Sequence, residues 1–202
     1  VTAVAVAMGV GIGGWFAWSV YQRKSIALGG GKSPDVGEVL DHENGVKVYA
    51  NGKKPYQSHG KHFAEDGYYY GRKWQCVEFV KRYYYEVYNH KMPDNFGHAV
   101  SFFDPLLRDG NTNRQRNLQQ FKNPGSSKPQ VGDLIVMDKT LFNRYGHVAI
   151  ISEVTSTDIE IIQQNPGAYA ESRVRLSMYQ TKNASWFVEH KRVLGWLRMD
   201  RR

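Results

Sequence analysis

The sequence predicts an α+β domain, with helical segments in its first half and an antiparallel sheet built from its last third. The helical prediction rests on apolar residues that recur at helical spacing after position 76, and the sheet prediction on β-branched runs separated by turn residues. A third feature, an uncharged apolar segment at the N-terminus, predicts one transmembrane helix before the domain. The chain has 202 residues, of which 41% are apolar, so it can bury one substantial core.

Residues 1–22 contain no charged side chain and are followed by Arg23-Lys24. As a helix, this segment would span about 33 Å, which is enough to cross a bilayer core of about 30 Å. Its bulky end favours an uncleaved anchor over a signal peptide, which needs small residues at its cleavage site. We therefore predict a transmembrane anchor at residues 1–22, a Gly-rich tether at residues 23–44 and a folded domain at residues 45–200. This single helix would anchor the protein in a membrane, on a side that the sequence leaves open.

The charge of the chain is strongly basic. Its formal net charge is +8 and its pI is about 9.5, a balance that favours anionic polymers or surfaces as partners. The Lys and Arg residues are scattered, and no helix-turn-helix, zinc-finger or RNA-binding pattern is present in the sequence. We therefore predict a solvated basic surface on a monomer, and no nucleic-acid partner.

The first predicted elements of the domain are a short strand and a helix. Residues 46–49 alternate in polarity and end at the turn dipeptide Asn51-Gly52. Residues 53–67 have no clear period and are predicted to be a loop. The helix begins near Trp74, after two glycines that interrupt the chain, and ends near Asn89.

The second half changes from helix-forming to strand-forming sequence. We predict a weaker helical segment at residues 99–107, followed by a polar surface loop with a short helix at residues 108–128. The β-branched runs then predict strands at residues 131–137, 146–154, 159–165 and 193–197. The turn residues 155–157 join the second and third of these strands in a hairpin.

Cys76 is the only cysteine, so it cannot form an intramolecular disulfide and must serve packing, metal binding or chemistry. It lies in the first turn of the predicted helix, where unpaired N–H groups and the helix dipole stabilise a thiolate. This position favours a nucleophile. The alternative is a buried cysteine that packs as a small apolar side chain.

His147 is the candidate base because it follows Gly146 and opens the most apolar strand of the chain, where a rigid element can position it. The hairpin places His147 opposite Gln163 to within a residue or two, and Gln163 and Asn165 share one face of their strand. Either amide could accept a hydrogen bond from the imidazole and select its tautomer. The other histidines lie in polar or irregular contexts typical of the surface: His42, His59, His62, His90, His98 and His190.

Together these residues combine a thiol at a helix N-terminus, an imidazole on a facing strand and an amide that orients it. That combination is typical of a cysteine amidase or peptidase. Spacing alone leaves this interpretation open, because a cysteine and a histidine form a weak sequence signal.

The nucleophile segment, Gly-Arg-Lys-Trp-Gln-Cys-Val-Glu-Phe at residues 71–79, resembles that of the glutathionylspermidine amidase family. This family is a branch of the CHAP (cysteine, histidine-dependent amidohydrolase/peptidase) superfamily. Similar motifs occur in the same order along the chain, at residues 45–49, 132–139, 146–151, 164–165 and 194–196. The resemblance covers residues 45–198.

The resemblance implies a papain-like (CHAP or NlpC-P60-type) α+β fold, in which an N-terminal nucleophile helix packs on an antiparallel sheet. It implies that Cys76 is the nucleophile and His147 the base, and that no metal or organic cofactor is needed. The backbone N–H of Cys76, helped by the side chain of Gln75, would form the oxyanion hole. The family normally has Glu at the position of Gln163; the neutral amide can still orient the ring, and its effect on the rate is open.

The sequence therefore predicts a cysteine-dependent amide-bond hydrolase that acts through an acyl-enzyme. Its substrate would be a thiol-polyamine conjugate of the glutathionylspermidine type or a peptide amide of cell-wall peptidoglycan. The alternative is a catalytically weak or inactive domain that binds a peptide or conjugate without cutting it, and the neutral side chain of Gln163 at a catalytic position motivates it. Asn165 is predicted to support the site.

Overall fold

Strands make up most of the structure, a computed structural model that describes residues 34–94, 97–167 and 170–200. Within these residues there are twelve strands, one α-helix, α1 (Cys76–Tyr88), and one 3₁₀-helix (Ala99–Phe102). The strands are β1 (Val39–Glu43), β2 (Val46–Tyr49), β3 (Lys61–Phe63), β4 (Tyr69–Arg72), β5 (Thr112–Asn113), β6 (Leu118–Lys122), β7 (Leu134–Met137), β8 (His147–Val154), β9 (Asp158–Ile162), β10 (Arg173–Gln180), β11 (Trp186–Val188) and β12 (Val193–Arg198).

Eight strands form one antiparallel sheet in the order β11-β10-β9-β8-β7-β12-β6-β5. The neighbouring strands β7 and β8 lie at its centre, with Met137 opposite His147. All of β7 and the first five residues of β8 are buried, which is why they read as continuous apolar runs in the sequence. The hairpins β1–β2 and β3–β4 form two further two-stranded sheets.

Apolar residues pack on both faces of the large sheet. On one face, Phe79 of α1 belongs to a core cluster that includes Val148 and Ile150 of β8. On the other face, Ala149 and Ile151 of the same strand belong to a second cluster. Because successive residues of a strand point to opposite faces, β8 contributes to both cores.

Helix α1 lies close to its predicted position and is enclosed by the fold. Its N-cap, Gln75, has an extended backbone with φ −85° and ψ 159°. At the other end, Asn89 adopts a left-handed conformation with φ 51°, and its N–H donates to the carbonyl of Tyr85, which terminates the helix. Seven consecutive residues, 78–84, are buried, so the helix is covered by protein on more than one face.

The predicted α+β fold class, with helices layered on one side of a sheet in a papain-like arrangement, is wrong. The described residues are sheet-rich and contain a single α-helix. The predicted helical segment at residues 99–107 is only the 3₁₀-helix Ala99–Phe102. Pro105 explains the early end, because a proline disfavours helical backbone in the residue before it and cannot donate a helical hydrogen bond.

Residues 108–128 contain the strands β5 and β6 in place of the predicted loop and short helix. Gln120 of β6 is buried, and its Oε1 accepts hydrogen bonds from the Nδ2 of Asn113 and the backbone N–H of Asp104, each at 2.9 Å. Tertiary contacts therefore satisfy a polar side chain inside the sheet, which is why the strand lacks the alternation that marks a half-buried strand. The strands β1, β3, β4, β10 and β11 are also absent from the predicted elements.

In the part of the chain that the structure describes, no helix is long and apolar enough to cross a membrane. The segment predicted to be a transmembrane helix, residues 1–22, lies outside the described residues. Pro34–Arg202 form one compact unit, and β1 lies within the range predicted to be the tether. The predicted domain boundaries stay predictions.

Candidate active site

The candidate nucleophile lies at the N-terminus of α1. Cys76 is the first helical residue, directly after the N-cap Gln75. Its sulfur faces the backbone amides of Val148 in β8 and of Val77 in the same turn, so it lies where the helix meets the sheet. The amides of a first helical turn have no acceptor within the helix and can stabilise negative charge beside them.

The surroundings of the Cys76 thiol nevertheless favour its neutral form at neutral pH by raising its pKa. Although Cys76 keeps some exposed surface, burial raises the pKa of its thiol above the ordinary value, and the adjacent backbone amides offset only part of this effect. Loss of hydration destabilises a thiolate more than these amide dipoles stabilise it. The resting site therefore differs from the thiolate that the helix position alone predicts.

The candidate base is positioned by a glycine. His147 opens β8 and is buried, and Gly146 before it has a left-handed backbone with φ +74°. A Cβ atom at Gly146 would lie 2.6 Å from the carbonyl oxygen of Met137, which is closer than a methyl group can approach. Only glycine therefore fits the turn that directs the chain into β8.

Gln163 determines which nitrogen of His147 carries the proton. The side-chain Nε2 of Gln163 donates to the carbonyl of Glu171 at 3.1 Å, so the amide oxygen Oε1 faces the imidazole. This oxygen lies 3.0 Å from the Nε2 of His147 and can only accept a hydrogen bond. The hydrogen-bond network thus assigns the proton to Nε2 and leaves a lone pair on Nδ1 of His147.

Cys76 and His147 are brought near each other through Val148, which follows His147 and faces the sulfur. Within the described ranges, no hydrogen bond joins the thiol to the imidazole. Burial lowers the pKa of His147 to about 4; the hydrogen bond with Gln163 acts in the opposite direction, and the charge of Arg192 lowers the pKa further. At neutral pH, the site therefore holds a neutral thiol and a neutral imidazole that can accept its proton.

Gln75 and Asn165 hold a loop in place beside the thiol. The Nε2 of Gln75 donates to the carbonyls of Gln57 at 2.8 Å and Pro55 at 3.2 Å, and its Oε1 accepts from the Nδ2 of Asn165 at 2.9 Å. Asn165 also donates to the carbonyl of Pro55 at 2.7 Å. Both amide hydrogens of Gln75 are thus engaged, so the backbone N–H groups at the start of α1 are the better placed oxyanion donors. The role of Gln75 in an oxyanion hole stays a prediction.

A buried carboxylate connects α1 to its surroundings. Glu78 accepts hydrogen bonds from the Nδ1 of His62 at 2.8 Å, the Nε of Arg82 at 2.6 Å and the Nε2 of Gln164 at 2.6 Å. Burial alone would raise the pKa of Glu78, but the hydrogen bond from His62 and the charge of Arg82 hold it below the ordinary value. Gly71 permits this packing, since a Cβ atom there would lie 3.0 Å from the Cα of Glu78.

Several residues of the site are absent from the sequence-based candidates. Gln164 fixes the start of α1 by donating to the carbonyl of Gln75 at 3.0 Å, and Arg192 lies close enough to perturb His147. His62, expected at the surface, binds Glu78. The i,i+4 spacing of Glu78 and Arg82 is the one sequence signal that could have indicated the ion pair.

Comparison with known proteins identifies the region that holds these residues. Residues 67–165 match the family model described as the CHAP domain. The matched range includes Cys76, His147, Gln163 and Asn165.

Curated relatives share this region. The bifunctional glutathionylspermidine synthetase/amidase of Escherichia coli (strain K12) is 36% identical over 102 residues, which cover 50% of this chain and 16% of that protein. Trypanothione synthetase of Crithidia fasciculata is 29% identical over 130 residues, which cover 64% of this chain and 20% of that protein. The similarity therefore spans only about a sixth to a fifth of the relatives' lengths.

A solved structure of the protein Ly7917 aligns with 61% of this chain and 52% of that chain. Its TM-score of 0.38 and sequence identity of 18% are too low to add to the argument.

Proposed function

Since the chain contains a CHAP domain and so belongs to a family of cysteine-dependent amidases and hydrolases, we propose that it hydrolyses an amide bond with Cys76 as nucleophile and His147 as base. The observation that carries this proposal is the tautomer of His147. Because Gln163 binds the protonated Nε2, the unprotonated Nδ1 is available to take the thiol proton.

The reaction proceeds in two halves. In the first, the sulfur of Cys76 bonds to the amide carbonyl carbon while its proton moves to Nδ1 of His147. Backbone N–H groups at the start of α1 stabilise the oxyanion. His147 then donates the proton to the departing nitrogen as the C–N bond breaks, which leaves a thioester on Cys76. In the second half, water gives a proton to His147 and its hydroxyl to the carbonyl carbon, and the sulfur leaves and takes the proton back.

Two substrate classes are candidates. The relatives whose names include glutathionylspermidine amidase favour a conjugate of glutathione and a polyamine. The net charge of +8 favours an anionic polymer such as peptidoglycan, whose peptide amides are the second candidate.

Mass spectrometry of the purified chain, incubated separately with glutathionylspermidine and with peptidoglycan, tests the proposal. We expect one substrate to be cleaved and the cleavage to be lost in Cys76→Ala. The variant should keep the wild-type circular dichroism spectrum, because it removes only the sulfur. Cleavage at the wild-type rate in Cys76→Ala would end the proposal.

A second candidate function is a binding module that does not turn over its ligand. It is favoured by the raised pKa of the Cys76 thiol and by the neutral partner of His147. Alkylation of Cys76 by iodoacetamide as a function of pH separates the two functions. A binding module should react only at alkaline pH and cleave neither substrate. In an amidase, Cys76 should be alkylated faster at neutral pH than an ordinary thiol, because unprotonated His147 can assist the thiol.

A further inference from the structure

A pocket of about 160 Å³ lies beside the His147 imidazole. Its apolar lining includes Ile161 and Leu176, which belong to the core cluster on the sheet face away from α1. Its polar lining includes Gln163, His190 and Arg192. The pocket therefore borders the candidate base on a different side from the thiol.

Arg192 brings an incompletely satisfied cation to this pocket. Its Nε donates to the carbonyl of Asp138 at 3.0 Å. Its Nη2 is buried and has no hydrogen-bond partner among the described residues. No carboxylate of these residues forms an ion pair with the guanidinium. A buried guanidinium N–H without an acceptor is unfavourable, and an oxyanion is the ligand that guanidinium donors match best.

His190 adds a second donor to the lining. Its Nδ1 accepts a hydrogen bond from the backbone N–H of Arg192 at 3.3 Å, so the proton of the neutral ring is on Nε2. Backbone hydrogen bonds to Val188 and Val193 hold the residue in place. His190 therefore presents an N–H donor on a rigid turn beside the guanidinium.

The guanidinium of Arg192 also places a positive charge near His147, and no carboxylate of the described residues forms an ion pair with it. The group bound to His147 is the neutral amide of Gln163. In the reaction proposed above, His147 becomes an imidazolium, and the charge of Arg192 opposes that step. An anion in the pocket would cancel this repulsion.

We propose that this pocket is an anion site that binds one carboxylate or similarly small oxyanion through Arg192 and His190. The bound anion offsets the charge of Arg192 beside His147. The anion is either a carboxylate carried by the substrate or a free ion. The binding site stands independently of hydrolysis, and only its effect on turnover rests on the proposed function.

Acetate is the probe, and the imidazole NMR signals of the full chain are the readout, at constant ionic strength and neutral pH. We expect a saturable shift of the His190 and His147 signals in the wild type. Arg192→Gln should weaken this binding at least about tenfold, since it removes a charge-assisted donor. Arg192→Lys, which keeps the charge but loses the planar fork, should weaken it less.

Arg144→Gln is the matched control, because it removes the same charge from an exposed neighbouring loop. It should leave the acetate affinity unchanged. The absence of a saturable shift in the wild type, or equal weakening in Arg144→Gln and Arg192→Gln, would overturn the anion site.

Turnover then identifies the source of the anion. Competitive inhibition by acetate indicates the substrate's own carboxylate, whereas acceleration indicates a free ion. In the second case Gln163→Glu, which supplies a negative charge beside His147, should reduce the acceleration. An active enzyme on which acetate has no effect would overturn the coupling to His147. A chain that cleaves nothing would refute the proposed hydrolysis and leave the NMR result to decide the site.

Discussion

At the residue scale, the properties of His147 follow from its surroundings. The side chain is buried, which penalises the charged imidazolium, and its partner Gln163 is a neutral amide. The amide selects the tautomer and raises the pKa of His147 only in part, whereas a carboxylate at position 163 would favour the imidazolium more strongly. His147 is therefore suited to accept a proton during the reaction and not to hold one beforehand.

The depressed pKa of His147 predicts acid sensitivity. The folded protein takes up this proton near pH 4, whereas an unfolded chain takes it up near pH 6.5. Between these values the unfolded state binds more protons, so stability should fall as the pH is lowered through this window. The full difference corresponds to about 3 kcal/mol.

Chemical denaturation of the wild type and His147→Gln at several pH values between 4 and 7 measures this contribution. The variant should lose less stability than the wild type as the pH falls, whatever its stability at pH 7. Parallel pH dependences in the two proteins would contradict the prediction.

At the scale of elements, the candidate site forms where α1 meets the start of β8. The helix provides Cys76 and its first-turn amides, and the strand provides His147 and the amide of Val148. Two features hold these ends in place. Gly146 permits the turn that leads into β8, and Gln164 donates a hydrogen bond to the carbonyl of the helix N-cap.

The turn before β8 predicts a large effect of Gly146→Ala. The new methyl group would meet the carbonyl of Met137 at 2.6 Å, and the left-handed φ of +74° would strain any residue with a Cβ. We expect a loss of stability of about 1–3 kcal/mol or more and a displaced His147 with reduced activity.

Gly45→Ala is the matched control for the steric part of this effect. Gly45 has a similar backbone, with φ +83°, but no described atom outside Gly45 and its two chain neighbours lies within 4 Å of the position that its Cβ would take. It should therefore lose less stability than Gly146→Ala and keep its activity. Thermal unfolding and turnover of both variants check this, and equal effects would contradict it.

At the scale of the whole molecule, the chain is strongly basic and forms an antiparallel sheet with apolar residues on both faces. The net charge of +8 attracts anionic polymers and repels polycations over distances of about 10 Å at about 0.1 M salt, and farther at lower salt. The two candidate substrates differ in sign, because peptidoglycan is anionic and a polyamine conjugate is cationic.

Salt should therefore separate the substrates. Hydrolysis of peptidoglycan should weaken through a rising KM as salt increases, because screening removes the attraction. Hydrolysis of the conjugate should keep its KM or improve it. The KM of the cleaved substrate, measured at low and high sodium chloride, checks the prediction. A peptidoglycan KM that is independent of salt would show that net charge does not govern binding.

The sequence by itself determined the features that depend on neighbours along the chain. Helical spacing placed a helix from near Trp74 to about Asn89, where α1 is found, and alternation located β2. The hairpin of β8 and β9 placed His147 opposite Gln163 to within a residue or two, and the structure selects Gln163 over Asn165 as its partner. These features follow from periods of 3.6 and 2 residues and from a short turn, all of which are local.

Only the tertiary structure decided what depends on burial and on contacts distant in sequence. Burial of the thiol raises the pKa of Cys76, and the side-chain amide of Gln75 is hydrogen-bonded to a loop. The polar segment of β6 forms a strand because of its tertiary contacts. The tertiary structure also brought Arg192 beside His147. Desolvation and hydrogen bonding between segments far apart in the chain control these properties, and neither leaves a periodic signal in the sequence.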